Sequence, residues 1–266
     1  MPGTKVLTGV RVLFLQLCSL LVAQAAWGWG PQGHEIVAAI AQDRLAPRAL
    51  EVLRKEFNIT RLEDVANWAD RIKRKRKETR PWHYTNIPQG ERQYLRERDC
   101  PEGACVTEKI EEFSSLLRDK ARSRRERREA VMFLVHFIAD VHQPLHLGNP
   151  GDRGGNEIRV RVHDEWTNLH AVWDHDLIRL GGKSLLKYAA GLSREITPRQ
   201  VERWNASSVV DWSEESRELA LEGYRLEKDK SGALTRGYLD RGRRVVKQQL
   251  KKAGVRLAHR LNLALQ

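Results

Sequence analysis

The chain is expected to be mainly α-helical and to form one domain with a single small β hairpin. Three observations support this. Apolar residues recur at helical spacing in segment after segment, only one stretch alternates polar with apolar, and no segment has the composition of a linker. At 266 residues the chain is long enough for one full-sized domain with a real core.

Taken in order, Gly33 to Phe57 reads as a helix, with Ile36, Val37, Ile40 and Leu45 on one face and a break near Pro47. Arg61 to Arg76 reads as a short helix that runs into the basic stretch Arg71 to Lys77, and Pro81 to Cys105 as loop. Thr107 to Asp119 is helical, followed by the charged segment Lys120 to Glu129. Ala130 to His142 is a strongly apolar helix that Pro144 ends or kinks. After the Gly/Asn/Asp/Pro loop Gly148 to Gly155, the alternating stretch Glu157 to Val162 is the strand candidate. Asn168 to Leu180, Ser184 to Arg194, Val201 to Arg203 leading into Ser213 to Leu226, and Leu239 to Leu265 complete the helices.

Residues 1–28 read as a signal peptide. Lys5 and Arg11 supply positive charge, Val12 to Ala26 is apolar, and small residues follow. Two cleavage points satisfy the small-residue rule, one using Ala23 and Ala25, the other Ala26 and Gly28. No later stretch reaches about 18 apolar residues, so no membrane anchor is expected and the product is read as secreted or periplasmic. Cys18 falls inside the leader. Cys100 and Cys105, with a Pro/Gly turn between them, are expected to pair as a small disulfide loop, because an exported zinc site would want more than two thiols. The formal net charge of +12, with 31% charged residues, favours a polyanionic partner.

Histidines and aspartates are placed in a pattern. His136 and Asp140 stand four apart on the apolar helix, and His170 and Asp174 four apart on the next. Such pairs share a helix face one turn apart, and imidazole nitrogen with carboxylate oxygen suits a divalent ion such as zinc. A lone pair of this kind is usually a surface ion pair. Here Phe133, Leu134, Val135, Phe137, Ile138 and Val141 surround the first pair, and buried charges need a partner or a metal. His146, Asp70, His83 and His34 are further candidates.

The string His136-Phe-Ile-Ala-Asp-Val-His-Gln-Pro-Leu-His146 resembles the zinc-dependent single-strand nuclease family of the fungal S-one and P-one nucleases and their plant and bacterial relatives. Trp29-Gly-Pro-Gln-Gly-His34, Asn67-Trp-Ala-Asp-Arg-Ile72, Trp82-His-Tyr84, Gly154-Gly-Asn156 and Asn168-Leu-His-Ala-Val-Trp-Asp174 match other segments of that family in the same order.

The resemblance implies the helical fold shared with zinc phospholipase C and a site of three Zn2+ ions. One would be held by Asp70, His83, His136 and Asp140, and one by His146, His170 and Asp174. The third would be held by His34, Asp140 and the backbone amine and carbonyl of Trp29. That assignment selects cleavage after Gly28, since only then is the Trp29 amine free. The implied activity is hydrolysis of single-stranded DNA and RNA to 5′-phosphate products, with 3′-nucleotidase activity, and Asp70 orienting the attacking water. Tyr84 is the expected base-stacking platform, Asn156 a phosphate or base contact, and Lys73, in the basic run, a contact to the nucleic-acid backbone. His142 is expected to orient a ligand carboxylate. The partners implied are single-stranded nucleic acid and nucleotides, and a monomer is expected. Two rival readings are a zinc phospholipase C and a non-catalytic zinc- and nucleic-acid-binding protein. The phospholipase group carries Glu where this chain has Asp174.

Overall fold

The structure, a computed structural model, describes residues 29–162 and 164–266. The expected leader, with Cys18 and both cleavage points, lies outside them. Eleven α-helical segments are described: α1 Pro31–Gln42, α2 Pro47–Lys55, α3 Trp68–Ile72, α4 Arg96–Asp99, α5 Val106–Arg118, α6 Arg124–Asp140, α7 Leu169–Ala171, α8 Leu185–Arg194, α9 Pro198–Asn205, α10 Val209–Gly223 and α11 Arg236–Ala264. The sole sheet among the described residues is an antiparallel hairpin of β1 Arg159–Val162 and β2 Glu165–Asn168, with Val160 opposite Thr167. None of the described helices is long and apolar enough to cross a membrane.

Helix α6 is the axis of the molecule. Its N-terminus is a capping box in which the Ser123 hydroxyl accepts from the Glu126 N–H and the Glu126 carboxylate accepts from the Ser123 N–H. Arg124 to Glu129, the larger part of the charged segment expected to precede the helix, is therefore its first, solvent-facing part. Every residue from Ala130 to Asp140 is buried, because α1, α3, α5 and α11 pack around this half. A helix apolar on all sides has nowhere to go but the centre of the core. It ends at Asp140 rather than His142, and Pro144 opens a 3₁₀ turn, Pro144–Leu147, instead of continuing it.

The long α11, about 43 Å at 1.5 Å per residue, lies across α1. Gly254 permits this crossing, since a Cβ there would lie 2.4 Å from Ile40 Cγ2. Other elements depart from expectation locally. Arg61 to Arg76 divides into a 3₁₀ turn, Leu62–Asp64, and α3. The segment after β2 is one turn of α7 followed by a π-helical turn, Val172–Asp176. Cys100 and Cys105 form a disulfide.

Buried arginines join the last helices to the rest. Arg217 of α10 donates to the carbonyls of Pro88, Glu91 and Leu147 and to Asn149 Oδ1, at 2.8–3.0 Å. Arg256 of α11 makes two contacts with the Glu215 carboxylate, at 2.9 and 3.1 Å, and donates to His142 Nε2 at 2.8 Å. Removing Arg256 strands the buried His142 Nε2 and leaves the part-exposed Glu215 carboxylate unpaired. Arg256→Met is therefore expected to reduce the unfolding free energy by about 2 kcal/mol, read as a lower urea midpoint at unchanged slope.

Candidate metal centre

Nine residues fall under the metal expectation, and the structure brings the eight with ligating side chains to one end of α6. Asp140 is at its last turn, His136 one turn before it, and His146 on the 3₁₀ turn that follows. Asp70 comes from α3, His83 from the end of the 3₁₀ segment Lys77–His83, His34 from α1, His170 from α7 and Asp174 from the π-helical turn. All eight are buried. Trp29, the ninth, is also buried; its indole N–H donates to the Ala139 carbonyl at 2.8 Å, which seats it next to Asp140.

The side chains fall into three groups whose ligating atoms lie within 4.8 Å of one another: His34, His136 and Asp140; Asp70, His83 and His136; and His146, His170 and Asp174. His83 Nδ1 and His136 Nε2 lie close to each other and to one oxygen each of Asp140 and Asp70. His83 Nδ1 is 2.9 Å from Asp140 Oδ2, 3.1 Å from His136 Nε2 and 3.8 Å from Asp70 Oδ1. His136 Nε2 is 3.3 Å from Asp140 Oδ2 and 3.5 Å from Asp70 Oδ1. Ligands at 2.0–2.2 Å around a tetrahedral zinc are separated by about 3.3 Å, so these five separations are of the size that zinc ligands require. In the third group His170 Nε2 is 3.4 Å from Asp174 Oδ2. His34 Nε2 is 3.5 Å from Asp140 Oδ1, and its ring stacks on that of His136 at 3.8 Å.

The surroundings aim these atoms inward. His136 Nδ1 donates to the Ala66 carbonyl at 2.7 Å, His146 Nδ1 to the His83 carbonyl at 2.6 Å, and His170 Nδ1 to the Gly154 carbonyl at 2.6 Å. A proton held on Nδ1 leaves Nε2 with a lone pair for a metal. Gly154 has a positive φ of 65°, and a Cβ there would lie 2.5 Å from the Leu145 carbonyl, so only glycine carries the chain past His170 at this point. Among the described residues, both nitrogens of His34, Asp70 Oδ2, His83 Nε2, Asp140 Oδ1 and His170 Nε2 are buried and find no hydrogen-bond partner. Buried polar atoms are rarely left so, and unpartnered atoms on five of the eight candidate ligands fit a set of divalent cations.

Protonation follows the same logic. Burial holds His34, His83, His146 and His170 below the usual imidazole range, to about 4 for His83 and about 3 for His170, so they are neutral. Burial also opposes charge on His136, but Asp140 and Asp70 outweigh it and push the group up to about 10. Both carboxylates are held low despite their burial, mainly by the charge on His136. Burial raises Asp174 well above the carboxylate range. A divalent cation at the centre would compete with protons for His136 and Asp174.

His142 does not orient a ligand. It follows the end of α6, so its ring turns away: Nδ1 donates to the Ile138 carbonyl at 2.7 Å and Nε2 accepts from Arg256. Its neighbour Gln143 has that role. Fully buried, Gln143 donates from Nε2 to Asp174 Oδ1 at 2.6 Å and accepts from the Leu145 N–H at 2.6 Å. One glutamine thus links Asp174 to the turn carrying His146. Periodicity carries no signal for it, since its role depends on where α6 stops.

A cavity of about 430 Å³ opens onto the centre, walled by His83, His146, His170 and Leu145, with Tyr84, Asn86 and Asn156 beside them. Lys73, Arg74, Arg80 and Arg153 line it as well. All three residues expected to touch substrate are thus at one opening. Tyr84 is 40% exposed, while the Asn156 amide donates to the Arg153 carbonyl at 2.8 Å. Lys73 Nζ is 2.6 Å from Asp70 Oδ1. Of the basic run, Lys73 and Arg74 line the cavity, whereas Arg76 is paired with Glu78 and Glu129.

Known proteins give a concordant result. The family model described as S1/P1 Nuclease matches residues 29–266. The chain is 31% identical to Endonuclease 2 of Arabidopsis thaliana over 290 residues, covering 95% of this chain and 96% of that one. It is 31% identical to Endonuclease 3 of the same plant, covering 88% of each. With Nuclease S1 of Aspergillus oryzae the identity is 34%, covering 66% of this chain and 64% of the fungal one. With this match across its whole described length and a buried site of histidines and aspartates under a cationic cavity, the chain belongs to the S1/P1 nuclease family, hydrolases of phosphodiester bonds.

Proposed function

We propose that the chain is a secreted, zinc-dependent endonuclease that hydrolyses single-stranded DNA and RNA to 5′-phosphate products and also removes 3′-phosphates from nucleotides. The observation that carries this reading is the juxtaposition of three ligand groups with a cavity lined by four cationic side chains and an exposed tyrosine. Residues 1–28 are the leader and 29–266 the enzyme. Asp70, His83, His136 and Asp140 hold one zinc, His146, His170 and Asp174 a second, and His34, Asp140 and the amine and carbonyl of Trp29 the third.

Bound zinc ions supply Lewis acidity, neutralising phosphate charge and making water a stronger acid. The protein supplies the geometry. Asp70 turns Oδ1 to Lys73 and leaves Oδ2 without a hydrogen-bond partner, free to orient the water that attacks phosphorus. Lys73 keeps a positive charge beside the reacting phosphate. Gln143 holds Asp174 in one orientation. Tyr84 stacks an unpaired base, and Asn156, which lines the same cavity, contacts phosphate or base. A duplex keeps its bases stacked on one another, so single strands are preferred.

Tyr84→Ala is expected to raise KM for single-stranded substrates by roughly 5- to 100-fold, the worth of one base–aromatic stack, with kcat little changed. Tyr84→Phe retains the ring and should behave like the parent. Steady-state kinetics on an oligonucleotide checks both, and an unchanged KM in Tyr84→Ala removes the tyrosine from the site. The reading as a whole is tested by offering single-stranded DNA, RNA and phosphatidylcholine with and without chelator. Chelator-sensitive cleavage of the nucleic acids alone supports it. Lipid hydrolysis, or nucleic-acid binding without cleavage, overturns it.

A further inference from the structure

Among the described residues other than glycine, Asn58 and Arg153 alone have a positive φ. Asparagine enters this left-handed region readily; arginine does so at a cost. Arg153, at φ 54° and ψ 46°, is followed by Gly154 and Gly155, also left-handed. The bend is over-determined by its surroundings. The Asp152 carboxylate accepts from the Gly155 N–H at 2.6 Å and from the Tyr224 hydroxyl at 2.8 Å, while the Tyr224 hydroxyl accepts from the Asn149 N–H at 3.0 Å. The Gly154 N–H is bound to the Asn149 carbonyl at 3.0 Å. The Gly154 carbonyl in turn holds His170.

A braced loop could carry asparagine or glycine at this position without strain. It carries an exposed arginine that lines the cavity together with Lys73, Arg74 and Arg80. Strained backbone kept at a site mouth points to use there, and guanidinium is the side chain best shaped to grip a phosphate through two N–H donors. We propose that Arg153 is a substrate-binding residue that clamps a backbone phosphate of the single strand entering the cavity, and that its left-handed conformation is kept for that contact. This rests on the reading of the cavity as a nucleic-acid site.

The test compares the parent enzyme with Arg153→Asn, Arg153→Gly and Arg153→Lys. Binding of a fluorescent, cleavage-resistant phosphorothioate single strand is followed by anisotropy over a range of salt, beside thermal melting and cleavage kinetics. Arg153→Asn is expected to weaken binding about tenfold, to make the plot of log K against log salt shallower by about one, and to leave Tm unchanged or higher. Arg153→Gly should weaken binding similarly, and Arg153→Lys should restore the salt slope. Unaltered affinity and salt slope in Arg153→Asn would overturn the proposal. So would a fall in Tm of several degrees that Arg153→Lys does not repair, because the arginine would then serve the loop itself. Parent enzyme that binds the strand but cleaves no DNA or RNA contradicts the nuclease reading and leaves the clamp standing.

Discussion

Asp140→Asn is expected to lower kcat/KM on single-stranded DNA by roughly 10³- to 10⁵-fold, the several kcal/mol that Lewis-acid stabilisation supplies at 1.36 kcal/mol per decade. Its two oxygens face four other members of the centre. Oδ2 faces His83 and His136 at 2.9 and 3.3 Å, and Oδ1 faces His34 and His146, both at 3.5 Å. The carboxylate is fully buried at the last turn of α6, so no solvent charge can replace it. Asparagine has the same shape, yet it presents an N–H₂ to imidazole lone pairs and removes the negative charge that two zinc ions would share. Steady-state kinetics with metal analysis of the same sample checks this. Activity within tenfold of the parent would show that the bridging role is wrong.

The second large effect concerns the N-terminus. Protein beginning at Trp29 is expected to carry three zinc ions, whereas protein retaining Trp27 and Gly28 should carry two and turn over roughly 10²- to 10³-fold more slowly, as removal of one Lewis acid implies. The structure supports the placement. Trp29 is fully buried with its indole on Ala139, the residue before Asp140, and the Gly30 N–H donates to the Asp174 carbonyl at 3.1 Å. A Cβ on Gly33 would lie 2.7 Å from Trp29 Cβ, so α1 closes tightly on the tryptophan. An amine blocked by a preceding residue cannot ligate. Equal zinc content and equal rates in the two forms would exclude Trp29 as a ligand.

Much of this was legible in the residues, and for definable reasons. The apolar run around His136 marked a buried helix, and buried ionisable pairs announce themselves because they are costly without a partner. Helix ends were less legible. Lys120 to Glu129 reads as a charged segment between helices, yet a capping box at Ser123 makes Arg124 to Glu129 the exposed start of α6. His170 and Asp174 meet across a change from α to π winding, which no periodicity reveals. Gln143, for which the sequence carried no signal, bonds Asp174 where His142 was expected to hold a carboxylate, because α6 ends at Asp140, two residues earlier than read. Arg80 and Arg153 escaped notice because they reach the cavity only through tertiary folding, from segments that share no pattern.

Diffraction at the zinc absorption edge from crystals of protein beginning at Trp29 tests the three-zinc centre most directly. Three anomalous peaks are expected. One lies among Asp70, His83, His136 and Asp140, one among His146, His170 and Asp174, and one beside His34, Asp140 and the Trp29 amine. Fewer than three peaks, or a peak away from these groups, would contradict the three-zinc centre.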